Sequence, residues 1–403
     1  MRGLSALIKK AAETLKDVVK PTPIVYSTSL SNLYGYEIYL KLENLQKTGS
    51  FKVRGAYNKI ASLAGDEKRR GVIAASSGNH AQGVAWASGL CNARSTIVMP
   101  ESSSIIKYIA TLGYGAEVVS YGKTFNEAYD HAVRLSKERG LTFIPPFDDE
   151  LVMAGQGTIG LEISDELPDV DTVVIPVGGG GLISGIAVAL KEKIKKPSVK
   201  VIGVEAGKES SYRASIEAGR PVEVHKGFSI ADGIAVKRLG EKTFPIIKRY
   251  VDDVAAVGED SIAAAILQLI ERKKLIVEGA GAATLAVVME GKLPGSSKKV
   301  LLLLSGGNID VTMLDRVIRT GLMREGRVIR FTIALPDTPG MLASLTAELA
   351  AMKANILHVV HIRDAADVPF GSAMVEFVLE VEGRGHGKRV IEGLSEKGYK
   401  VKG

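Results

Sequence analysis

The chain has 403 residues, of which 46% are hydrophobic, 24% charged and 5% aromatic, so it holds enough apolar side chains for two or three cores and is not a disordered polymer. Its 52 basic and 45 acidic residues leave a formal charge of +7, a mild bias towards anionic ligands; the lysine-rich run at 191–200 has no aromatic residue, which argues against a nucleic-acid stacking platform. A single cysteine, Cys91, excludes an internal disulfide and a cysteine metal cluster and reads as a buried side chain of a protein kept in a reducing cytoplasm.

The N-terminal residues 1–20 place Leu4, Ile8, Ala11, Leu15 and Val19 at helical spacing, interrupted by Lys and Glu. An amphipathic helix is expected there rather than a signal peptide, and no stretch reaches the ~20 apolar residues of a membrane span. Pro21 and Pro23 end the pattern, and the β-branched and aromatic residues of 24–43 predict short strands around a loop. The stretch KLENLQKTGSFKVRG (41–55) follows. In it Lys52 stands after a turn and between Phe51 and Val53, at the expected first turn of a helix. Ser50 can cap that helix, Phe51 can shield the ammonium, and Arg54 adds a second positive charge; shielding and like charge both lower a lysine pKa. A neutral amine is a nucleophile suited to a Schiff base with a carbonyl, whereas a lone Ser-Phe-Lys is more often an ordinary helix start.

From residue 71 strand and helix patterns alternate through SSGNHAQG (76–83), STIVMP, AEVVSYG and LTFIPP, then through VVIPVGGGGLISG and VKVIGVEA to KKVLLLLSGGN. This alternation predicts an α/β fold built on mainly parallel sheets, with ligand groups on loops at the strand C-terminal ends. The pattern changes near residue 322, and the remaining segment predicts strand, helix, strand, strand, helix, strand, the βαββαβ order of a ferredoxin-like domain. Pro339 and Gly340 precede its first helix, where backbone N–H groups are open to a ligand or partner.

Three clusters of small residues follow predicted strands. Gly178, Gly179, Gly180 and Gly181 have no Cβ atoms to obstruct an anion and lead into a helix whose N–H groups and positive dipole end point at the same place. The spacing fails as GxGxxG, which would need glycine at Ile183 or Leu182. It also fails as a Walker A loop, because the glycine required before Gly122, Lys123 and Thr124 falls on Glu117. The turn Ser76, Ser77, Gly78, Asn79, His80 offers hydroxyls, an amide and helix-start N–H groups for a carboxylate or a phenolic oxygen. Ser305, at the end of the apolar run 300–304, can hydrogen-bond a ring nitrogen. His80 and His225 lack partners at metal-ligand spacing. A nucleophilic lysine, a phosphate cradle, an oxygen-binding asparagine and a serine for a pyridine nitrogen together describe a site for pyridoxal 5′-phosphate.

SFKVRGA, SSGNHAQGVA, VGGGGLISG and LLLLSGGN, in that order over roughly residues 1–320, resemble the fold-type II pyridoxal-phosphate enzymes of the threonine ammonia-lyase and serine racemase group. The C-terminal segment is similar to ACT domains, small amino-acid-sensing regulators. The resemblance implies a catalytic domain at 1–321, with a smaller subdomain at about 50–150, and a regulatory domain at 327–403. It makes Lys52 the cofactor-bearing lysine and α-proton base, with Phe51 beside the cofactor ring and Asn79 on its phenolic oxygen. Gly178 to Gly181 and Leu182 would take the phosphate, Ser305 the pyridine nitrogen, and Ser76, Ser77, Gly78, Asn79 and His80 the substrate carboxylate. Ser77 matches the serine that racemases use as acid or base on the opposite face. Relatives bind a divalent cation through an acidic pair: Glu205 is present, the second position is Ser211, and Glu209 lies close by in sequence. An effector site is implied at Asp337, Gly340, Met341 and Leu342, with isoleucine or valine as the family's effectors. The expected reaction is elimination of water from L-threonine to 2-oxobutyrate and ammonia, with L-serine as a side substrate. A serine or threonine racemase and a non-catalytic amino-acid sensor are the alternatives. The expected protein is a homo-oligomer that engages neither nucleic acid nor membrane.

Overall fold

The computed structural model describes residues 2–193, 199–207, 209–364 and 368–402, so half of the lysine-rich run at 191–200 lies outside the described residues. The chain divides into two compact units, Met1–Asp310 and Val311–Gly403.

In the first unit the apolar runs between the helices form two open sheets. The larger has six strands in the spatial order Ile24–Tyr26, Glu37–Lys41, Lys299–Leu303, Thr172–Pro176, Lys200–Ala206, Asp253–Val257. Only the first pair is antiparallel. Val173, Val174 and Ile175 and the run Val300 to Leu303 are completely buried, the pattern expected of parallel strands covered on both faces. Between the second strand in sequence and the Thr172 strand the chain builds a smaller, wholly parallel sheet in the order Glu117–Ser120, Ser95–Met99, Val72–Ala75, Thr142–Phe143. Both sheets end their strands on the loops that carry the small-residue clusters.

The segment between Pro23 and Lys41 differs from expectation. Its central residues form a helix, Thr28–Tyr34, closed by Gly35 in the left-handed conformation. Seven residues rich in Ser, Thr and Asn have weak helical propensity, but Leu30 is buried and Ser31 Oγ accepts from Ile38 N at 2.9 Å, so tertiary contacts decide. Cys91, expected inside, is half-buried at the end of the helix Asn79–Leu90 and is a free thiol.

The second unit begins earlier than the change of composition near residue 322. The amphipathic helix Val311–Arg324 contacts the strand Val328–Pro336 and so belongs to it. Four antiparallel strands lie in the order Asn355–Ile362, Ser372–Glu380, Val328–Pro336, Val401–Lys402, with helices Met341–Ala351 and Arg384–Glu396 completing a βαββαβ unit. Alternate residues of the central strands, Phe331, Ile333, Leu335 and Val375, Phe377, Leu379, pack under Leu345, Leu349, Val390 and Leu394. Among the described residues no helix is long and apolar enough to cross a membrane.

Candidate active site

Lys52 is the first residue of the helix Lys52–Ala61. Ser50 does not cap it: with φ −162° it is extended, it bridges to Gly306, and its buried hydroxyl has no hydrogen-bond partner among the described residues. Phe51 takes the cap position, and its N–H donates to Ser305 O at 3.2 Å. The start of the lysine helix is thereby tied to the end of the central strand of the large sheet. Lys52 Nζ donates to Pro146 O at 2.8 Å and lies 5.2 Å from the Phe51 ring centre. Burial lowers its pKa to about 8, against the opposing pull of the Glu278 carboxylate.

Arg54 has no share in that shift. Its guanidinium is buried and bonded to Glu43 at 2.7 Å and to Glu162, so the second charge expected to help Lys52 is neutralised on the far side of the helix. Lys41 is also buried, but it pairs with Glu162 at 2.6 Å and donates to Thr22 O. Lys47 is exposed.

The helix Asn79–Leu90 crosses the lysine helix at Gly83, where a Cβ would come within 3.3 Å of Lys52 Cβ. Asn79 is its first residue. Its Nδ2 donates to both Glu278 oxygens at 2.8 and 2.9 Å, and its Oδ1 accepts from Asn308 Nδ2 at 2.7 Å. Glu278 went unnoticed in the sequence. It precedes the helix Gly279–Met289, buried from Gly279 to Val288, and a lone carboxylate at the start of so apolar a helix was the available signal. Burial raises its pKa to about 7, with the Asn79 hydrogen bond opposing. Gly306 is required beside it, because a Cβ there would stand 2.4 Å from Glu278 Oε1.

Ser76, Ser77 and Gly78, on the loop after the strand Val72–Ala75, are half-buried like Asn79, and Ser76 Oγ accepts from Gly78 N. His80 turns inward: its Nε2 bonds Ile144 O at 2.9 Å, and burial, with the charge of Lys52 second, lowers its pKa to about 3. The imidazole is therefore a neutral donor to a backbone carbonyl.

Gly178 to Gly181 connect the strand Thr172–Pro176 to the helix Gly181–Lys193. No side chain fits at the two middle positions. A Cβ on Gly179 would meet the Phe147 ring at 2.4 Å, and one on Gly180, whose φ is +93°, would meet Ile247 at 2.5 Å and Thr243 Oγ1 at 2.9 Å. Thr243 Oγ1 fixes the loop by donating to Gly179 O at 2.7 Å. Pro146 and Phe147 join this cradle to Lys52, one accepting from the amine and the other lying against the glycines. Leu182 and Phe51 share one buried cluster, and Ser305 is buried. The predicted residues from four separate loops thus meet around one place.

These groups fit pyridoxal phosphate by their chemistry: a buried amine without a bonded carboxylate for an aldehyde, a side-chain-free helix N-terminus for a phosphate, and an amide and a hydroxyl for ring substituents. Glu205, the expected metal ligand, is a different case. It accepts from Ser211 Oγ at 2.6 Å, from Ser210 Oγ and from the N–H groups of Ser211 and Tyr212, and among the described residues no group of three or more His, Cys, Asp or Glu could hold a metal. In the second unit Gly340, at φ +95°, starts the helix Met341–Ala351; Met341 and Leu342 are half-buried, and Asp337 Oδ1 accepts from Arg363 at 2.9 Å.

The family model for pyridoxal-phosphate dependent enzymes matches residues 15–306. The chain is 50% identical to L-threonine ammonia-lyase of Thermotoga maritima and 47% identical to that of Geobacter sulfurreducens, each over 395 residues and 98% of both chains. Among solved structures, the processed form of threonine deaminase isoform 2 from Solanum lycopersicum is 39% identical with a TM-score of 0.74, over 79% of this chain and 93% of that one. Maize serine racemase is 32% identical with a TM-score of 0.73, over 79% and 98%.

Proposed function

The chain belongs to the pyridoxal-phosphate dependent enzymes, and from that premise we propose that it is a threonine ammonia-lyase, converting L-threonine to 2-oxobutyrate and ammonia and L-serine, more weakly, to pyruvate. The observation that carries the reading is the half-buried, desolvated amine of Lys52, held against Pro146 O beside the glycine cradle rather than against a carboxylate. Likeness over 98% of the chain to two threonine ammonia-lyases supports the choice of reaction.

When bound, pyridoxal phosphate supplies an electron sink for loss of the α-proton and the β-hydroxyl. The rest falls to the protein. Lys52 would hold the cofactor through Nζ, and the same amine is placed to take the α-proton of a bound amino acid; a pKa of about 8 leaves a useful neutral fraction near neutral pH. The N–H groups of Gly178 to Gly181 would hold the phosphate, aided by the helix dipole. Phe51 and Leu182 would keep water from the ring, Asn79 would address its phenolic oxygen and Ser305 its nitrogen. Ser76, Ser77, Gly78, Asn79 and His80 form the loop for the substrate carboxylate, with His80 acting through its place at the helix start because its ring is turned to Ile144.

Racemisation is the second reading. The half-buried Ser77 and the likeness to maize serine racemase, over 79% of this chain, favour it. Chiral analysis of recovered substrate beside oxoacid yield separates the two. The second unit acts as an ACT domain that senses an amino acid around Asp337, Gly340, Met341 and Leu342, in a cytoplasmic homo-oligomer. Oxoacid formation from L-threonine and L-serine, with and without isoleucine and valine, tests the assignment: rapid 2-oxobutyrate formation that an added amino acid modulates supports it, and racemised substrate without oxoacid overturns it.

A further inference from the structure

The strand Lys200–Ala206 carries Glu205, and its carboxylate is completely buried. A divalent cation there would need further oxygen lone pairs around it. The surroundings of Glu205 present hydrogens instead. The hydroxyls of Ser210 and Ser211 and the N–H groups of Ser211 and Tyr212 all donate to it, and Ser211 occupies the place where the family resemblance calls for a second acid. These residues do not fit a divalent cation. A positive charge is nevertheless present: Lys226 Nζ lies 3.5 Å from Glu205 Oε1, its side chain is 6% exposed, and its ammonium has no hydrogen-bond acceptor among the described residues.

We propose that Lys226 is a covalently built-in cation that takes the place of a divalent metal, so that the segment it begins is held to the sheet without any bound ion. What the segment supports gives the clamp its purpose. Ile230 N donates to Glu259 at 2.7 Å, and Asp232 pairs with Lys107 at 3.0 Å. Gly233 O lies 3.2 Å from where a Cβ of Gly178 would be, and Ile230 O lies 2.5 Å from that of Gly279. The segment therefore backs both the glycine cradle and the residue next to Glu278. The remaining acids near Lys226 offer no substitute metal cage. Glu209 and Glu259 line a cleft of about 190 Å³ with Lys226 and His225, but Glu209 is exposed and Glu259 is already an acceptor for Ile230.

The test uses the full-length holoenzyme and reads metal content and the thermal unfolding midpoint. Elemental analysis is expected to find magnesium, calcium and manganese far below one per chain, and the midpoint is expected to stay unchanged with EDTA or with added magnesium or calcium chloride. Lys226→Met leaves Glu205 buried without its counter-charge and is expected to lower the midpoint by roughly 5 °C or more. Lys226→Arg keeps the charge and is expected to unfold near the wild-type temperature, which decides the matter even if the methionine variant does not fold. A stoichiometric divalent ion in the wild type, a midpoint that falls with EDTA, or an arginine variant as unstable as the methionine variant would overturn the proposal.

Discussion

Lys41 and Lys52 lie in one stretch of chain, the first completely buried and the second half-buried with a desolvated amine, yet their surroundings assign them opposite tasks. Lys41 meets the Glu162 carboxylate and the Thr22 carbonyl, and Glu162 with Glu43 also neutralises Arg54, so this cluster is a set of matched charges. Lys52 meets a carbonyl and an aromatic ring, and its nearest carboxylate influence, Glu278, is itself engaged by Asn79. A buried charge with a bonded counter-charge stays charged and inert; a buried amine without one moves towards its neutral, nucleophilic form. The same contrast separates Glu43, buried against Arg54, from Glu278, buried against an amide and pushed up to about 7.

Substitutions can break the contrast from either side. The largest effect is expected for Lys52→Ala, which should lower turnover of L-threonine about 10³-fold while leaving the circular dichroism spectrum unchanged. On the other side, Lys41→Met should cost about 3 kcal/mol in urea denaturation by leaving part of a buried acidic pair uncompensated, with the cofactor's absorbance band retained. Glu278 gives a pH test. Its pKa stands above the ordinary 4.5, so the stability it contributes to the cofactor-free protein is complete below pH 4.5 and is lost as the pH climbs through about 7. Glu278→Gln should remove about 3 kcal/mol of that pH dependence, seen as a flatter plot of denaturation midpoint against pH over this window. The smallest effect is expected for Gly180→Ala, which introduces a Cβ at φ +93° beside Ile247 and Thr243. It should weaken cofactor binding roughly tenfold in a titration of the apoenzyme, equal to about 1.4 kcal/mol, while Lys52 keeps its pKa.

Much of this site was legible in the sequence because its chemistry needs unusual residues in fixed places. Four consecutive glycines before a helix, a lysine at a helix start and a serine closing an apolar strand are each rare enough to be noticed, and a parallel sheet gathers strand ends by its topology. What remained hidden depended on contacts between distant segments. Ser50 looked like a cap but is drawn into a bridge with Gly306. Arg54 looked like a helper of Lys52 but faces Glu43 and Glu162 from across the helix. Glu278 became visible only once the loop at Gly306 was folded against it, and the helix Thr28–Tyr34 owes its existence to the burial of Leu30. Periodicity reports which face is buried; it does not report which charge waits there.

The contrast between the two lysines is tested most directly by reducing the holoenzyme with borohydride and mapping the cofactor-labelled peptide by mass spectrometry. The label is predicted on Lys52. A label on Lys41 or on any other lysine, or a holoenzyme that takes no label, would contradict the account.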